Sequence, residues 1–330
     1  RAARVPVPGL AELGYLTNET VFSLTTRPAR LVVIGAGPIG CELAQAFRRL
    51  GSAVTVVALD PRVLGKDDPD AAAIVQRRLE AEGVCFELGA TLVAAERRGP
   101  DKVLVFVRGD ARRELGCDEI LVAAGRRPNL DELGLEAAGV AHDRSGVTVD
   151  DRLRTSNRRV YASGDVCSRF QFTHAADAMS RIVLRNALFF GRGRASSLVI
   201  PWSTYTDPEV AHVGISGEEA SARGLQTHTI EMAEVDRALL EDDLEGFARV
   251  HADRKGRIHG ATIVAKNAGD LIGELSLAMT HRLGLPALSQ TIHPYPTRAE
   301  VLRKLGDAHQ RARFTPGLRR WFERFLRWRR

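Results

Sequence analysis

The chain opens with some thirty residues in which apolar and polar positions follow no sustained period, "RAARVPVPGLAELGYLTNETVFSLTTRPAR", rich in proline, glycine and threonine. Such a stretch predicts a connection leading into a domain. The pattern then sharpens. "RLVVIG" is a short β-branched run, "PIGCELAQAFRRLG" repeats its apolar positions at helical spacing, and "AVTVVAL" is again strand-like, so residues 30–59 predict a βαβ unit. "DPDAAAIVQRRLEAEG" predicts a second helix and "VCFELG" a third strand. Residues 91–116 predict a small meander, and "DEILVAAGRRPN" a strand ending in a glycine turn. Farther on, "HAADAMSRIVLRNALFFG" predicts a helix, "GFARVHAD" and "IHGATIVA" two strands, and "AGDLIGELSLAMTHRLG" another helix. Strand and helix alternate in the first half, which predicts an α/β domain. The second half groups them, which predicts α+β.

Length and composition fit this picture. A chain of 330 residues with 44% hydrophobic and 27% charged residues can bury the cores of two domains or more. No run approaches the roughly 18 apolar residues that span a bilayer, and the first residues lack the apolar core of a signal peptide, so the expected location is the cytoplasm. Cys41, Cys85, Cys117 and Cys167 are scattered without CxxC or CxxxxC spacing and read as free thiols; no spacing suggests a metal site. The net charge of +6 gathers partly in the tail "RRWFERFLRWRR", with no base-stacking motif nearby, so no nucleic-acid partner is expected.

The glycine-rich loop Gly35-Ala36-Gly37-Pro38-Ile39-Gly40 follows a predicted strand and opens a predicted helix. In that setting the first glycine permits a tight turn, the second lets backbone approach a pyrophosphate, and the third lets helix pack on strand. The end of the second strand selects the nicotinamide cofactor, an acidic side chain holding ribose hydroxyls and a basic one a 2′-phosphate. Here the signal is mixed: Ala58 stands where the acid belongs, with Asp60 and Arg62 just beyond, and both charges read equally well as ordinary loop residues. Weak discrimination, leaning to NADH because glycine rather than alanine ends the loop, is expected. A second signature, "TSNRRVYASGDVC", runs through Thr155, Val160, Tyr161, Ala162, Gly164 and Asp165; a strand ending in Gly-Asp puts a carboxylate where it can bind sugar-like hydroxyls. Gly125 marks the partner motif "LVAAGRRPN".

The GAGPIG loop, "AAGRRPN", "VYASGDV" and "IHPYPTRAE", in that order over nearly the whole chain, resemble the pyridine nucleotide–disulfide oxidoreductases, closest to mercuric reductase-like and dihydrolipoamide dehydrogenase-like members. The resemblance implies a Rossmann-like NAD(P)H domain inserted in an FAD domain, followed by an α+β dimerisation domain, with FAD and NAD(P)H as cofactors and a homodimer as the assembly. It divides the sequence into the exit segment of an FAD domain (1–27), the NAD(P)H domain (28–145), a returning FAD segment (146–200) and the interface domain (201–330). The family's upstream FAD loop and CxxxxC pair do not occur here, so the sequence reads as the carboxy-terminal two-thirds of such an enzyme.

Carried over residue by residue, Asp165 would bind the ribityl chain, the helix beginning near His174, Ala175 and Ala176 would aim N–H groups at the flavin, and Glu42 would stand beside the nicotinamide. Glu42 also reads as a plain exposed helix carboxylate. The family's proton-relaying histidine is replaced by Tyr295, while Glu300 matches its glutamate, which would orient the phenol or cap the following helix. His293 reads as a turn histidine, and Cys41 and Cys167 as buried small residues. Tyrosine occurs at this position in the mercuric reductase-like branch, but the cysteine pair ending mercuric reductases does not occur here, so mercury reduction is not supported.

The implied activity passes hydride from NAD(P)H through FAD to a disulfide or similar small-molecule acceptor. Alternatives are a quinone, metal ion or oxygen as acceptor, or a non-catalytic dimerising nucleotide-binding fragment. In the tail, Leu318, Trp321, Phe322, Phe325 and Trp328 share a helical face ringed by arginines, suited to docking on the interface domain or to weak contact with an anionic membrane surface.

Overall fold

A computed structural model describes residues 1–314 and 316–329. The chain divides into two compact units, Arg1–Ile200 and Pro201–Arg330. In the first, β1 (Arg30–Ile34), α1 (Pro38–Arg49), β2 (Ala53–Ala58), α2 (Pro69–Ala81) and β3 (Cys85–Leu88) follow one another, and β7 (Glu119–Val122) completes a parallel sheet in the order β3-β2-β1-β7. Leu31 to Ile34 are all buried, as expected of a central parallel strand covered on both faces. The Asp68 side chain caps α2 by accepting from the backbone N–H of Asp70 at 2.9 Å, with Pro69 opening the helix. The predicted meander is a three-stranded antiparallel sheet, β4 (Ala90–Arg98), β5 (Asp101–Arg108) and β6 (Ala111–Cys117). The helix predicted after the Gly-Asp motif is α3 (Thr173–Leu188).

The opening segment departs from expectation. It is more than a connection: Leu10, in a single helical turn Leu10–Leu13, is 0% exposed and packs with Val32, Ile34, Leu104, Phe106 and Ile120. Leu16 pairs with β7, its N–H donating to the Ile120 carbonyl and its carbonyl accepting from Val122, both at 2.8 Å. These apolar residues are spaced irregularly because each meets a different part of one core.

The second unit is built on an antiparallel sheet ordered β8-β9-β12-β11-β10, from β8 (Pro201–Thr204), β9 (Glu209–Gly214), β10 (Gln226–Glu231), β11 (Phe247–Ala252) and β12 (Ile258–Ala265). Between β9 and β10 lies α4 (Gly217–Ala222), opened by a Ser216/Glu219 capping box, and between β10 and β11 the short helix α5 (Asp236–Leu240). After β12 come α6 (Ala268–Thr280), α7 (Leu285–Gln290), α8 (Glu300–Ala312) and α9 (Pro316–Arg329). α6 packs against β9 and β12, and α8 against β10 and β11. The α+β expectation for this half agrees with its antiparallel sheet and helices.

Candidate cofactor and acceptor sites

The glycine loop joins β1 to α1 at the carboxyl edge of the parallel sheet. Gly35 has φ +108°, a left-handed conformation open to glycine, and a Cβ there would meet the Ala123 carbonyl oxygen at 2.8 Å. A Cβ on Gly40 would meet the Gly35 carbonyl oxygen at 2.0 Å, so loop and helix are pressed together. In front of Gly37 the space is open: no atom lies within 4 Å of a Cβ built there. Gly37 is also the N-cap of α1 and supplies no side-chain cap, with Pro38 and Ile39 beginning the first turn. Closed behind and open in front, with the helix's positive end facing outward, the loop fits the pyrophosphate of a dinucleotide. Glu42 lies half-buried one turn into α1.

At the end of β2, Ala58 is buried and Asp60 exposed. Arg62 is not extended toward a phosphate: its Nη2 donates to the carbonyls of Gly65 at 2.6 Å and Asp67 at 3.2 Å, which ties the guanidinium to its own loop. Cys41 beside the loop is fully buried, its thiol donating to the Ala36 carbonyl at 3.3 Å, and burial pushes its pKa up to about 12. Cys167 is likewise pushed up to about 11 by burial. Neither thiol is activated as a nucleophile. All four cysteines are free.

The second motif joins the first through β7. Ala123, which closes over Gly35, leads into the Gly125 turn, and the next residue, Arg126, holds the Asp165 carboxylate at 2.8 Å. The Arg126 Nη1 also donates to the Gln171 carbonyl at 3.1 Å, just before α3. Gly164, at φ +74°, lets this turn approach α3 so closely that a Cβ would meet that of Ala176 at 2.7 Å. Ala175 is fully buried, and α3 begins without a side-chain cap at Phe172. Asp165 and the uncapped α3 terminus are therefore neighbours, a donor and acceptor set that fits a flavin's ribityl and ring edges; Arg126 already shares the carboxylate.

In the second unit Tyr295 is 72% exposed, and its phenol donates to Asp236 Oδ2 at 2.8 Å. That hydrogen bond, ahead of the carboxylate's charge, holds the phenol pKa above its usual value. Glu300 neither orients the phenol nor provides the N-cap of α8. It is the first residue of that helix and pairs with Arg303 at 2.7 Å. His293 is more than a turn histidine: its side chain is buried and its Nε2 lies 3.1 Å from both carboxylate oxygens of Glu274 on α6.

Residues 1–180 match the pyridine nucleotide-disulphide oxidoreductase family, and residues 200–305 match the dimerisation domain of the same family. The chain belongs to the pyridine nucleotide-disulphide oxidoreductases. It is 36% identical over 301 residues to a mercuric reductase from Lysinibacillus sphaericus, covering 90% of this chain and 55% of that protein. To dihydrolipoyl dehydrogenase 3 from Pseudomonas aeruginosa it is 35% identical, covering 93% of this chain and 67% of that protein. Among solved structures it is similar to the HOCl-induced flavoprotein disulfide reductase RclA from Escherichia coli, with a TM-score of 0.85, 27% identity, and coverage of 94% of this chain and 71% of that one. The chain spans about half the length of the mercuric reductases it matches, 55% and 48% of the first two.

As a member of this family the chain brings the glycine loop and Asp165 into one unit, with Gly125 between them. Sequence reasoning missed four participants. Arg126 stood inside the motif "LVAAGRRPN", but the carboxylate it meets, Asp165, belongs to the separate downstream motif, and only the fold brings the two together. Asp236 and Glu274 carry no local pattern that marks them, whereas Arg298, whose Nη2 pairs with Glu241 and Asp243, stands inside the motif "IHPYPTRAE".

Proposed function

We propose that this protein is an FAD-dependent NAD(P)H oxidoreductase that works as a homodimer and passes reducing equivalents to a disulfide or similar small-molecule acceptor. Residues 28–145 bind the nicotinamide nucleotide, residues 1–27 and 146–200 belong to the flavin domain, and residues from 201 onward form the dimer interface. The bound flavin supplies the hydride and electron chemistry. The protein's residues bind and orient: the α1 terminus faces pyrophosphate at Gly37, Glu42 lies near the nicotinamide, Asp165 takes the ribityl hydroxyls, and α3 offers N–H groups to the flavin ring. One observation carries the reading, the continuous path from Gly35 through Ala123 and Gly125 to the Arg126–Asp165 pair. A glycine loop and the Asp165 carboxylate sharing one scaffold is what supports the reading.

The protein purified at full coding length is expected to show flavin absorbance that bleaches with either nicotinamide nucleotide. With Ala58 in place of an acid, Leu59 exposed and Arg62 held by its own loop, NADH and NADPH should differ by less than about a hundredfold in kcat/KM, roughly 2.7 kcal/mol. NADH should be the better of the two. A protein without flavin, or one with a larger preference, contradicts this assignment.

A second contact is suggested by α9. Trp321, Leu326 and Trp328 are exposed, Phe325 is half-buried, and arginines 320, 324, 327 and 329 flank them; the side chain of Leu318 lies outside the described residues. Trp321 stacks on Phe325 at 5.6 Å, which leaves a broad aromatic strip. No helix among the described residues is long and apolar enough to cross a membrane. A basic aromatic helix of this kind lies in an anionic bilayer surface. The protein should co-sediment with anionic vesicles and lose that binding when residues 316–330 are deleted; equal binding by both forms would remove α9 as the contact.

A further inference from the structure

The turn bearing Tyr295 is clasped by a segment far from it in sequence. α5 lies between β10 and β11, and both of its ends reach the Tyr295–Arg298 turn. At the first residue, the Asp236 carboxylate accepts the phenol hydrogen bond at 2.8 Å. At the other end Glu241, the C-cap, and Asp243 receive Nη2 of Arg298 at 2.6 and 2.8 Å. The Arg298 side chain is only 12% exposed, so this double ion pair is shielded from water as surface pairs are not. Just before α5 the Glu234 carbonyl accepts from Lys304 of α8. Two of these links, through Asp236 and through Arg298, fix α5 against the turn, the third ties the segment just before α5 to α8, and the Asp236 carboxylate is held where the phenol ends.

We infer that Asp236 is a positioning residue for the acceptor site: by taking the phenol proton into a hydrogen bond, it presents the Tyr295 oxygen outward as a hydrogen-bond acceptor. The inference rests on the proposed oxidoreductase activity and on reading Tyr295, which stands where the family's relay histidine stands, as the residue that meets the electron acceptor. A hydroxyl carries one donor and two lone pairs. With the donor committed to Asp236, the oxygen can receive a hydrogen bond and has none to give. The site therefore favours an acceptor molecule that carries its own donor, such as a disulfide bearing hydroxyl or amide groups, over a bare quinone carbonyl. The raised phenol pKa agrees, since a carboxylate neighbour opposes ionisation. Glu300, the other acid acting on the phenol, acts in the same sense but is occupied by Arg303.

The test compares the unaltered protein at full coding length with Asp236→Ala and Asp236→Glu. Each is assayed with NADH and either bis(2-hydroxyethyl) disulfide or menadione, and each is titrated at alkaline pH for the Tyr295 phenol by difference from the corresponding Tyr295→Phe protein. Asp236→Ala frees the phenol proton. It should lower kcat/KM for the hydroxylated disulfide relative to menadione by roughly three- to tenfold, move the phenol titration to lower pH, and be reversed by Asp236→Glu. A parallel change with both acceptors, or an unmoved phenol titration, overturns the inference. Where the unaltered protein lacks flavin, or reduces neither probe, the titration alone decides: a downward shift in Asp236→Ala supports the role of Asp236, and no shift refutes it. Absence of flavin would refute the proposed function separately.

Discussion

Replacing Gly40 with valine is expected to cut the rate at which NAD(P)H reduces the flavin by about a hundredfold and to destabilise the first unit by about 2–4 kcal/mol. The cause is steric. A Cβ at this position would already lie 2.0 Å from the Gly35 carbonyl oxygen, and that oxygen belongs to backbone that cannot swing aside like a side chain. Gly35 is itself pressed against Ala123, so the strain would pass to the turn that leads to Arg126. Valine adds two methyl groups and forces α1 away from β1, which moves its amino terminus off the phosphates. Gly37→Ala provides the contrast. Its φ of −76° suits any residue and the space beside it is open, so stability should change by less than about 0.5 kcal/mol while nucleotide binding weakens. Thermal unfolding and NADH titration of both variants give the comparison. A Gly40→Val protein that melts and binds like the unaltered one would mean that this loop is not the nucleotide site.

Tyr295→Phe is expected to slow reoxidation of the reduced flavin about tenfold, a loss of roughly 1.4 kcal/mol of transition-state stabilisation, and to leave reduction by NAD(P)H within about twofold. The phenol is the part of this exposed turn that offers an oxygen, and its ring keeps the same shape in phenylalanine. Because the hydrogen bond to Asp236 raises the phenol pKa, the neutral form persists to higher pH than in a free tyrosine, for which the value is near 10. Tyr295 is consequently no general base at neutral pH, and the reoxidation rate should show no inflection from it between about pH 6 and 9. Stopped-flow measurement of the two half-reactions separates the outcomes. If neither changes, Tyr295 only packs at the interface and the acceptor is bound elsewhere; if reduction falls as much as reoxidation, the residue acts through the fold.

Much of this molecule was determined by local sequence. β1, α1 and β2 follow from a β-branched run, a helical apolar repeat and a second run, and strands this regular need no distant information. The glycine loop was legible for the same reason: the need for left-handed backbone at Gly35 and for close contact at Gly40 is a property of adjacent residues. The Gly-Asp motif and the Tyr295 turn carry similarly compact signals, which is why the family could be named from them.

Tertiary structure decided the rest, and each case pairs residues whose chemistry is ordinary until they meet. Leu10 and Leu16 lie in a segment without period because they bury themselves against strands that begin well downstream, where neighbouring side chains set the spacing. His293 looks like any turn histidine until α6 brings Glu274 to it. Arg62 has the charge for a 2′-phosphate, yet nearby carbonyls claim it first. Glu300 stands where family resemblance places a partner for Tyr295, but a carboxylate on the first turn of α8 finds Arg303 three residues on, and the phenol finds Asp236. Sequence spacing fixes which residues share a helix face or a strand edge; it does not fix which of several charged or polar groups, brought together by a sheet and its helices, will take one another as partners.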